Sequence, residues 1–356
     1  GKKMNNFVKA LKKAVSIIPR NVSYPALGTV LLQGDGKNLN IVATNDEISI
    51  KITVDCSFKI DCCVNGKLLC DFLQSAKDVQ LEQEEQSLKI YSDNSELELP
   101  IFPSQEFPSL PESTGDKISI IFASDLKDSL KKVGFIPIRE WHDESFKTSI
   151  LFDYQYGLLK VVASDDHRLA VCLIITNEEE ITEHKKALLS RDVILGLENI
   201  LPGQGKIDVQ FGDNLLTFSY ADVEESMVIF TRLVSGEFPN YERVVPKEEL
   251  GCCDCEFWRE NLIQSLKRAS LVTDVINIVV NDNFEISGFS ERGKFKEIVP
   301  TIESCGTIEI MCDLKHLLQP LSRIEDEKVK LKFVGEKSPM VLESKNYIYV
   351  VMPVII

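Results

Sequence analysis

The sequence lacks the features that mark several common protein classes. No apolar run reaches the roughly 18 to 20 residues that a helix needs to cross a membrane, and the N-terminus has no signal-peptide core. The P-loop, GxSxG and HExxH motifs are also missing, so no familiar nucleotide-binding or hydrolase site is present. We therefore expect an intracellular, cytoplasmic protein that does not enter a membrane.

Ten cysteines and four histidines leave a metal enzyme as an alternative. Cys252, Cys253 and Cys255 lie close together, and a histidine from elsewhere would complete a set of four ligands. Zinc sites usually add a second close Cys or His pair, which does not follow here. In a chain without a secretory signal, the cysteines are typical of reduced, mostly buried thiols. We expect no metal and no other cofactor.

Acidic residues are missing from one end of an acidic protein. The chain has 55 Asp and Glu against 40 Lys and Arg, which gives a formal net charge of -15. Residues 1–20, in contrast, contain six Lys or Arg and no acid. The net charge disfavours nonspecific binding of nucleic acid over the whole surface, so any basic site has to be local.

A cationic, helical pattern occurs three times. Leu11–Ala14, Leu130–Val133 and Leu266–Ala269 each carry two adjacent cations on an apolar period of three to four residues. Val42–Asp46 also matches Val162–Asp166 at an offset of 163 − 43 = 120 residues, close to the offset of 130 − 11 = 119 between the first two helical patterns. Two independent sequence patterns therefore recur at nearly the same spacing, which indicates a repeated domain.

We divide the chain into three domains of one plan, residues 1–116, 117–246 and 247–356, joined near residues 108–117 and 239–251. Each domain is predicted to have an α+β fold, with two helices packed on antiparallel strands. The predicted helices fall within residues 1–20, 66–77, 124–134, 188–201, 258–269 and 313–324.

Apolar stripes predict the buried face of each helix, and the cations lie on the opposite face. In the third helix, Ser124 is the predicted N-cap. The stripes of the first, second and fifth helices are predicted at Phe7, Leu11, Ala14 and Ile18, at Leu68, Leu69, Phe72 and Leu73, and at Trp258, Leu262, Leu266 and Ala269.

Three segments, Ala163–Val171, Gly236–Pro246 and Tyr349–Pro353, have a distinctive composition, order and spacing. Together they resemble the bacterial DNA polymerase III β subunit family, the sliding clamps, over nearly the whole chain. The resemblance implies a head-to-tail homodimeric ring whose helices face a central hole. It also implies a non-catalytic processivity factor that encircles duplex DNA and tethers the replicative polymerase.

The repeated cations are expected to face the phosphates of the DNA. Long, water-mediated phosphate contacts suit sliding, because base readout would create barriers along the duplex. The alternative is a DNA-binding regulator, which would bind linear duplex strongly and in a salt-sensitive way. The predicted DNA-facing residues, including an Arg and a Trp in a loop that the resemblance places near DNA, are Lys9, Lys12, Lys13, Arg20, Lys67, Lys127, Lys131, Arg139, Trp141, Arg191, Lys267 and Lys315.

The resemblance further implies a pocket between the middle and last domains for short linear motifs of polymerases, the clamp loader and repair proteins. Its apolar residues suit Leu and Phe side chains, while Arg and His suit polar groups. Asp166 stands where the family usually has Gly, and His316 roughly where Tyr is common. The implied lining is Ser164, His167, Arg168, Leu169, Pro239, Arg243, Val244, His316, Val350, Met352, Pro353 and Val354.

Ring closure is expected to use four apolar residues. Leu271 and Val272 resemble the end of the interface helix of the family, and Leu97 and Leu99 fall on the strand of the first domain that would meet it. An exposed apolar patch on a monomer is best explained by a partner. Coverage within their own domain remains the alternative for Leu97 and Leu99.

Overall fold

The computed structural model describes residues 2–19, 28–138, 143–176, 183–247 and 253–355, with the side chains of residues 116–118 left out. The helices in this part of the chain are α1 (Lys2–Ser16), α2 (Gly66–Leu73), α3 (Ala123–Val133), α4 (Arg191–Ile200), α5 (Arg259–Ala269) and α6 (Leu314–Leu321). The strands are β1 (Val30–Asp35), β2 (Asn38–Thr44), β3 (Ile48–Asp55), β4 (Lys59–Val64), β5 (Gln80–Gln83), β6 (Ser87–Ser92), β7 (Ser95–Phe102), β8 (Asp116–Phe122), β9 (Ser149–Gln155), β10 (Leu158–Ser164), β11 (Arg168–Ile175), β12 (Lys185–Ser190), β13 (Lys206–Phe211), β14 (Leu215–Ala221), β15 (Glu225–Arg232), β16 (Cys253–Trp258), β17 (Val275–Val280), β18 (Phe284–Ser290), β19 (Gly293–Val299), β20 (Glu303–Cys305), β21 (Ile308–Asp313), β22 (Lys328–Phe333), β23 (Met340–Ser344) and β24 (Tyr347–Val351).

The chain forms two compact units, and each unit is built from two separate stretches of sequence. The first unit comprises Gly1–Lys127 and Thr176–Leu233, and the second comprises Asp128–Ile175 and Val234–Ile356. The predicted middle domain therefore contributes strands to both units.

One long antiparallel sheet runs through the first unit, in the order β5-β6-β7-β4-β1-β2-β3-β15-β14-β13-β8. Its central junction joins β3 to β15, where Ile50 lies opposite Ile229. Alternate residues of β3 are buried, as a strand that supports helices on one face requires. Helix α1 packs on β2 and β3 and against α2 and α4.

The second unit contains two sheets. In one of them the strands run in the order β9-β10-β11-β24-β23-β22-β16-β20, and the other has the order β19-β18-β17-β21. Strand β24 lies beside β11, with Val350 opposite Leu169. Helix α5 packs against α6 and on β16, β18 and β19, so both sheets share this helix layer.

Local side-chain caps define where three of the helices begin. The side chains of Asn65, Ser190 and Asp313 accept hydrogen bonds from backbone N–H groups in the first turns of α2, α4 and α6. Such caps satisfy amides that have no partner inside the helix.

The predicted starts of two helices were displaced. Helix α3 begins at Ala123, so Ser124 lies in its first turn and is not the N-cap. Asp313, predicted as the first residue of the sixth helix, is its N-cap instead. In both cases the end of the preceding strand adjoins the helix directly, and apolar periodicity does not mark such a junction.

Two other boundaries were also wrong. Helix α2 ends at Leu73 rather than at residue 77, because Lys77 N–H donates to Ser92 Oγ of β6 at 2.8 Å and leaves the helical path. Helix α4 begins at Arg191, since residues 188–190 belong to β12 and Ser190 supplies the cap.

Four residues predicted in buried stripes are not fully buried, and one of them is Phe72 of α2, which is partly buried. Leu68 is 52% exposed, because Leu69 and Leu73 form the buried face of the short α2. Trp258 is 46% exposed, since it ends β16 and holds the N-cap position of α5. Ile18 follows the end of α1 and is only partly buried. Phe7, Leu11, Ala14, Leu262, Leu266 and Ala269 are buried as predicted.

None of the helices in the described residues combines the length and the apolar character that crossing a bilayer requires.

Candidate partner-binding pocket and nucleic-acid interface

Three strands of the second unit bring together five of the residues predicted for the pocket. Ser164 of β10 lies opposite Leu169 of β11, and Leu169 lies opposite Val350 of β24. Just beyond β24, Met352 N–H donates to the carbonyl oxygen of His167 at 2.8 Å. The β10–β11 hairpin and the segment after β24 are thus fixed to each other by backbone hydrogen bonds.

The apolar part of this pocket has a buried floor and an exposed wall. Leu169 is 3% exposed and Val350 is 1% exposed, so both pack into the core of the unit. Met352, in contrast, is 40% exposed. Val354 N–H donates to the carbonyl oxygen of Met311 at 2.8 Å, which holds the segment after Met352 along β21. Pro353 between them is partly buried.

Arg168 links the hairpin to helix α6. Its Nε donates to Asp165 Oδ2 at 2.9 Å, and its Nη1 donates to Gln319 Oε1. The guanidinium also lies 5.5 Å from the ring centroid of Phe135. With these contacts the charge of Arg168 is largely satisfied inside the protein, so its main effect is to hold α6 beside the hairpin.

Two histidines lie face to face at this junction. The ring centroids of His167 and His316 are 6.1 Å apart, with an interplanar angle of 29°. Burial, followed by the nearby charge of Arg168, lowers the pKa of His316. Tyr349 Oη donates to the carbonyl oxygen of His316 at 2.7 Å and fixes the backbone at this point. A neutral His316 ring is thus available as a hydrogen-bonding group near pH 7.

The segment that carries Arg243 and Val244 is anchored on β9. Residues Tyr241–Arg243 form a single 3-10 turn, and Tyr241 Oη donates to the buried Asp153 at 2.7 Å. Burial, then the bond to Asp153, raises the pKa of Tyr241. Val244 is 46% exposed and Arg243 is exposed, so the anchor leaves both side chains accessible.

A second anchor lies at the hairpin end of the same sheet. The rings of Phe238 and Phe146 meet edge to face at 5.8 Å, which places the neighbouring Pro239 beside the turn before β9. The next residue after Phe146, Lys147, forms ion pairs with Glu144 at 2.5 Å and with Asp166 of the hairpin turn. Pro239 therefore lies near the turn of the β10–β11 hairpin.

Sequence reasoning missed three supporting residues. Gln319 binds Arg168, Phe135 lies under its guanidinium, and Lys147 binds the hairpin turn. Gln319 had a usable signal, because it lies three residues after His316 and so shares its face of α6. Phe135 and Lys147 are remote in sequence and carried no local signal.

The predicted DNA-facing cations fall into two sets. The first set is exposed on the helices and consists of Lys9 and Lys12 on α1, Lys67 on α2, Lys131 on α3, Lys267 on α5 and Lys315 on α6. Of these, Lys131 lies 3.1 Å from Glu325 in an ion pair. These six lysines are therefore the accessible members of the predicted set within the described residues.

The second set is partly buried. Lys13 forms an ion pair with Glu225, and Lys127 Nζ donates to the carbonyl oxygen of Leu201 at 3.2 Å. Arg191 is partly buried. These side chains contribute less to a surface potential than the exposed lysines do. Arg20, Arg139 and Trp141 lie outside the described residues.

The four predicted interface residues differ in exposure. Leu271 is 73% exposed at the end of α5, and Val272 is partly buried. Leu97 is partly buried, whereas Leu99 is 3% exposed and lies opposite Leu88 of β6. Leu99 is therefore covered within its own sheet, and Leu271 is the accessible member of the set.

No three His, Cys, Asp or Glu side chains converge as metal ligands within the described ranges, which leave out Cys252 and His142. Burial raises the pKa of the Cys255 thiol, which disfavours the thiolate that zinc binds. The lack of a metal remains a prediction.

Models of the DNA polymerase III beta subunit match the chain in three consecutive parts. The N-terminal domain matches residues 3–111, the central domain residues 105–240 and the C-terminal domain residues 242–355. This chain belongs to the DNA polymerase III beta subunit family. The sliding clamps of this family are non-catalytic processivity subunits of DNA polymerase III in DNA replication, which confirms the predicted family and its non-catalytic role.

This chain matches known sliding clamps over nearly their full length. The beta sliding clamp of Pseudomonas aeruginosa is 25% identical over 367 residues, which span 97% of this chain and 96% of that protein. The beta sliding clamp of Staphylococcus aureus is 24% identical over 369 residues, with 97% and 95% covered.

Solved structures confirm the predicted clamp fold. The DNA polymerase III subunit beta of Pseudomonas aeruginosa superimposes with a TM-score of 0.89 at 24% identity, covering 99% of this chain and 98% of that one. The sliding clamp of Bacillus subtilis gives a TM-score of 0.88 at 18% identity, with the same coverage.

Proposed function

We propose that this sliding clamp acts in the cytoplasm as a head-to-tail homodimeric ring around duplex DNA. Its three domains are residues 1–116, 117–246 and 247–356. Each subunit has a pocket through which the ring tethers the replicative polymerase, the clamp loader and repair proteins. The observation that carries this proposal is the meeting of the β10–β11 hairpin, β24 and α6, which forms an apolar surface with polar groups beside it.

The pocket suits a short motif that contains Leu and Phe side chains. Met352 supplies a flexible, exposed wall over the floor made by Leu169 and Val350. His167 and His316 provide hydrogen-bonding groups at the rim. Because the floor is already packed, a peptide needs to displace only the exposed side chains.

The inner surface for DNA is proposed at the exposed lysines of the helices. Lys12 of α1 and Lys267 of α5 are the first of the two adjacent cations in the repeated helical pattern, and both are exposed. Long side chains with terminal charges attract the phosphates of any sequence, as sliding requires.

Peptide binding to the Met352→Ala variant tests the pocket. Full burial of a Met side chain contributes about 1.5 to 3 kcal/mol, so we expect the affinity for a fluorescent peptide with a Leu- and Phe-containing clamp-binding motif to fall about tenfold or more. Fluorescence anisotropy measures this. Val223→Ala is the control, because Val223 is 99% exposed and lies in the first unit.

Met352 is chosen over Leu169 because truncation of a buried Leu costs about 2 to 5 kcal/mol of stability by itself. Unchanged affinity of Met352→Ala, with normal binding by the control, would place the motif elsewhere on the clamp.

A further inference from the structure

The first unit repeats the backbone arrangement that holds the proposed pocket in the second unit. Its β2–β3 hairpin lies beside β15, as the β10–β11 hairpin lies beside β24. At the end of β15, Arg232 N–H donates to the carbonyl oxygen of Glu47 at 2.8 Å. Just beyond β24, Met352 N–H donates to the carbonyl oxygen of His167, also at 2.8 Å. Arg232 therefore occupies the place of Met352, as Glu47 occupies that of His167.

The turns of the two hairpins are also built alike. Asn45 Oδ1 accepts hydrogen bonds from the N–H groups of Glu47 and Ile48 at 2.9 and 2.8 Å. Asp165 Oδ1 accepts hydrogen bonds from the N–H groups two and three residues later, at 3.2 and 3.0 Å. The repeated sequence pattern at residues 42–46 and 162–166 thus produces the same turn in both units.

A cleft of about 340 Å³ lies on this arrangement in the first unit. Its lining includes Ser49, which is buried and lies opposite Phe230. The equivalent pair in the second unit is Leu169 opposite Val350. Ser49 Oγ forms a hydrogen bond with Thr44 Oγ1 at 2.6 Å, so a polar pair replaces part of the apolar floor.

A third wall of the cleft comes from the segment after β7. Phe107 is buried in a cluster with Leu31 and Val42, which holds its exposed neighbours Glu106 and Pro108 at the cleft. The same Glu-Phe-Pro sequence occurs at residues 237–239, which contribute to the proposed pocket. Each unit therefore combines a hairpin, a neighbouring strand and a Glu-Phe-Pro segment.

The lining of the first cleft carries three carboxylates and one guanidinium, those of Asp46, Glu47, Glu106 and Arg232. Within the described part of the chain, none of these side chains forms an ion pair or a hydrogen bond. Asp166, which is equivalent to Asp46, is in contrast paired with a lysine. The cleft is therefore acidic, and its carboxylates are not engaged by the described residues.

We infer that this cleft is a second partner-binding site, which takes a short extended segment of another protein with a Lys or Arg side chain beside apolar residues. The inference rests on the proposed pocket, because it takes the shared backbone arrangement as one that suits a peptide. The carboxylates attract the cation, while Phe230, Pro108 and Pro111 offer apolar contacts to its neighbours.

The geometry favours a cationic side chain over a metal ion. Among the described residues, no three His, Cys, Asp or Glu side chains converge as metal ligands, so these carboxylates line the cleft without forming a coordination site. The volume of the cleft is also in the range of sites for small organic groups. With Arg232 in place of Met352 and Ser49 in place of Leu169, the cleft does not suit the Leu- and Phe-containing motif of the pocket.

An array of synthetic hexapeptides tests the inference. The peptides combine one Lys or Arg with Leu, Phe and Pro in every order, and a second set has Glu in place of the cation. We expect the wild-type protein to bind members of the cationic set and none of the acidic set. Fluorescence anisotropy then measures the affinity of the peptides that bind, and added salt should weaken it.

Removal of the three negative charges should abolish this preference. Asp46→Asn/Glu47→Gln/Glu106→Gln keeps the size of each side chain, and we expect the affinity for the cationic peptides to fall about tenfold or more. The matched control, at exposed positions outside the cleft, is Glu82→Gln/Glu85→Gln/Asp93→Asn. It removes the same charge and should bind as the wild type does. Circular dichroism shows whether each variant is folded.

Arg232→Met tests the same electrostatics in the opposite direction. It removes the cation of the described lining and installs the side chain that the second unit has at this place. We expect the cationic peptides to bind about two- to fivefold more tightly, because a like charge is lost. Weaker or unchanged binding would overturn the role assigned to these charges.

The clamp-binding peptide used for Met352→Ala separates this site from the proposed pocket. The triple amide variant should bind that peptide as the wild type does. If the wild type binds it but no cationic peptide, or if the triple variant and its control lose cationic peptides equally, the second site is overturned and the pocket stands. If the wild type binds cationic peptides through the three carboxylates but not the clamp-binding peptide, the pocket is overturned and the second site stands.

Discussion

Asp166 occupies the turn between β10 and β11 with φ +74°, a backbone region that favours glycine. The resemblance to sliding clamps implied glycine at this position. Glycine adopts this backbone conformation without strain, whereas the Cβ of Asp166 adds a strain energy. The Asp166 carboxylate offsets part of this cost through its ion pair with Lys147. Because the Asp166 side chain is 54% exposed, the ion pair contributes little.

We expect Asp166→Gly to be more stable than Asp166→Ala by about 1 kcal/mol, since both lose the carboxylate and only Ala keeps a Cβ in the left-handed region. The midpoints of urea unfolding measure this difference. Equal midpoints would show that the turn relaxes to another conformation when the carboxylate is lost.

His316 makes the stability of the second unit depend on pH. Burial first, and then the charges of Arg168 and His167, lower its pKa, whereas Asp313 and Asp165 act in the opposite direction. The unfolded chain therefore binds a proton at His316 more readily than the folded protein does. Stability is fully present above the ordinary histidine pKa of about 6.5 and is lost as the pH falls below that value.

Replacement of this ring should flatten the acid dependence. We expect His316→Gln to lose less stability than the wild type between pH 7.5 and pH 5.5, as measured by urea unfolding at each pH. An unchanged slope in His316→Gln would assign the acid dependence to other groups.

Among the elements, helix α6 depends on its cap. Asp313 Oδ1 accepts hydrogen bonds from Lys315 N–H at 2.8 Å and from His316 N–H at 3.4 Å. The same helix carries Gln319, which binds Arg168 of the hairpin. The cap therefore supports both the helix and one side of the proposed pocket.

We expect Asp313→Ala to destabilise α6 by about 1 kcal/mol and Asp313→Asn to be nearly neutral, because Asn caps helices as well as Asp does. Hydrogen exchange of the Lys315 and His316 amides measures the effect locally. Equal protection in both variants would mean that tertiary packing, and not the cap, determines where α6 begins.

The sequence allowed good prediction of elements that depend on short-range patterns. Apolar periodicity gave each of the six α-helices in the described residues and most of their buried positions, such as Leu11 and Leu266. Helix ends were less accurate, because the cap of Ser190 and the bond from Lys77 to Ser92 involve strands that periodicity does not reveal. In the pocket, Phe135 and Lys147 were missed because only tertiary contacts bring them to the β10–β11 hairpin.

At the scale of the molecule, the exposed lysines should determine how long the ring stays on DNA. We expect Lys12→Glu/Lys267→Glu/Lys315→Glu to shorten retention on nicked circular plasmid after loading with a bacterial clamp loader. Electron microscopy and gel filtration of the loaded plasmid measure retention. Lys37→Glu/Lys59→Glu/Lys337→Glu changes the net charge equally at exposed positions outside the helices and should retain the wild-type lifetime.

Linearised plasmid separates the clamp from a DNA-binding regulator. A ring leaves the ends of linear DNA while remaining on the circle at high salt, whereas a regulator leaves both at high salt. Equal, salt-sensitive loss from the two forms would contradict topological retention.

The largest features were also the hardest to predict from sequence. The predicted repeat rests on two patterns of the first and second predicted domains, which recur at nearly equal offsets of 119 and 120 residues. The pairing of β3 with β15 and of β11 with β24 was not predicted, since it joins strands far apart in the chain. Only the folded backbone reveals that strands of residues 117–246, the predicted middle domain, are divided between the two compact units.

The pairing of β11 with β24 also has a consequence during protein synthesis. Strand β11 ends at Ile175 and β24 ends at Val351, so 351 − 175 = 176 residues are added before β11 meets its partner. At a translation rate of about 5 to 20 residues per second, this takes roughly 9 to 35 seconds. During that interval the β11 edge of the nascent chain lacks its β24 partner, so we expect residues 168–175 to bind chaperones during synthesis.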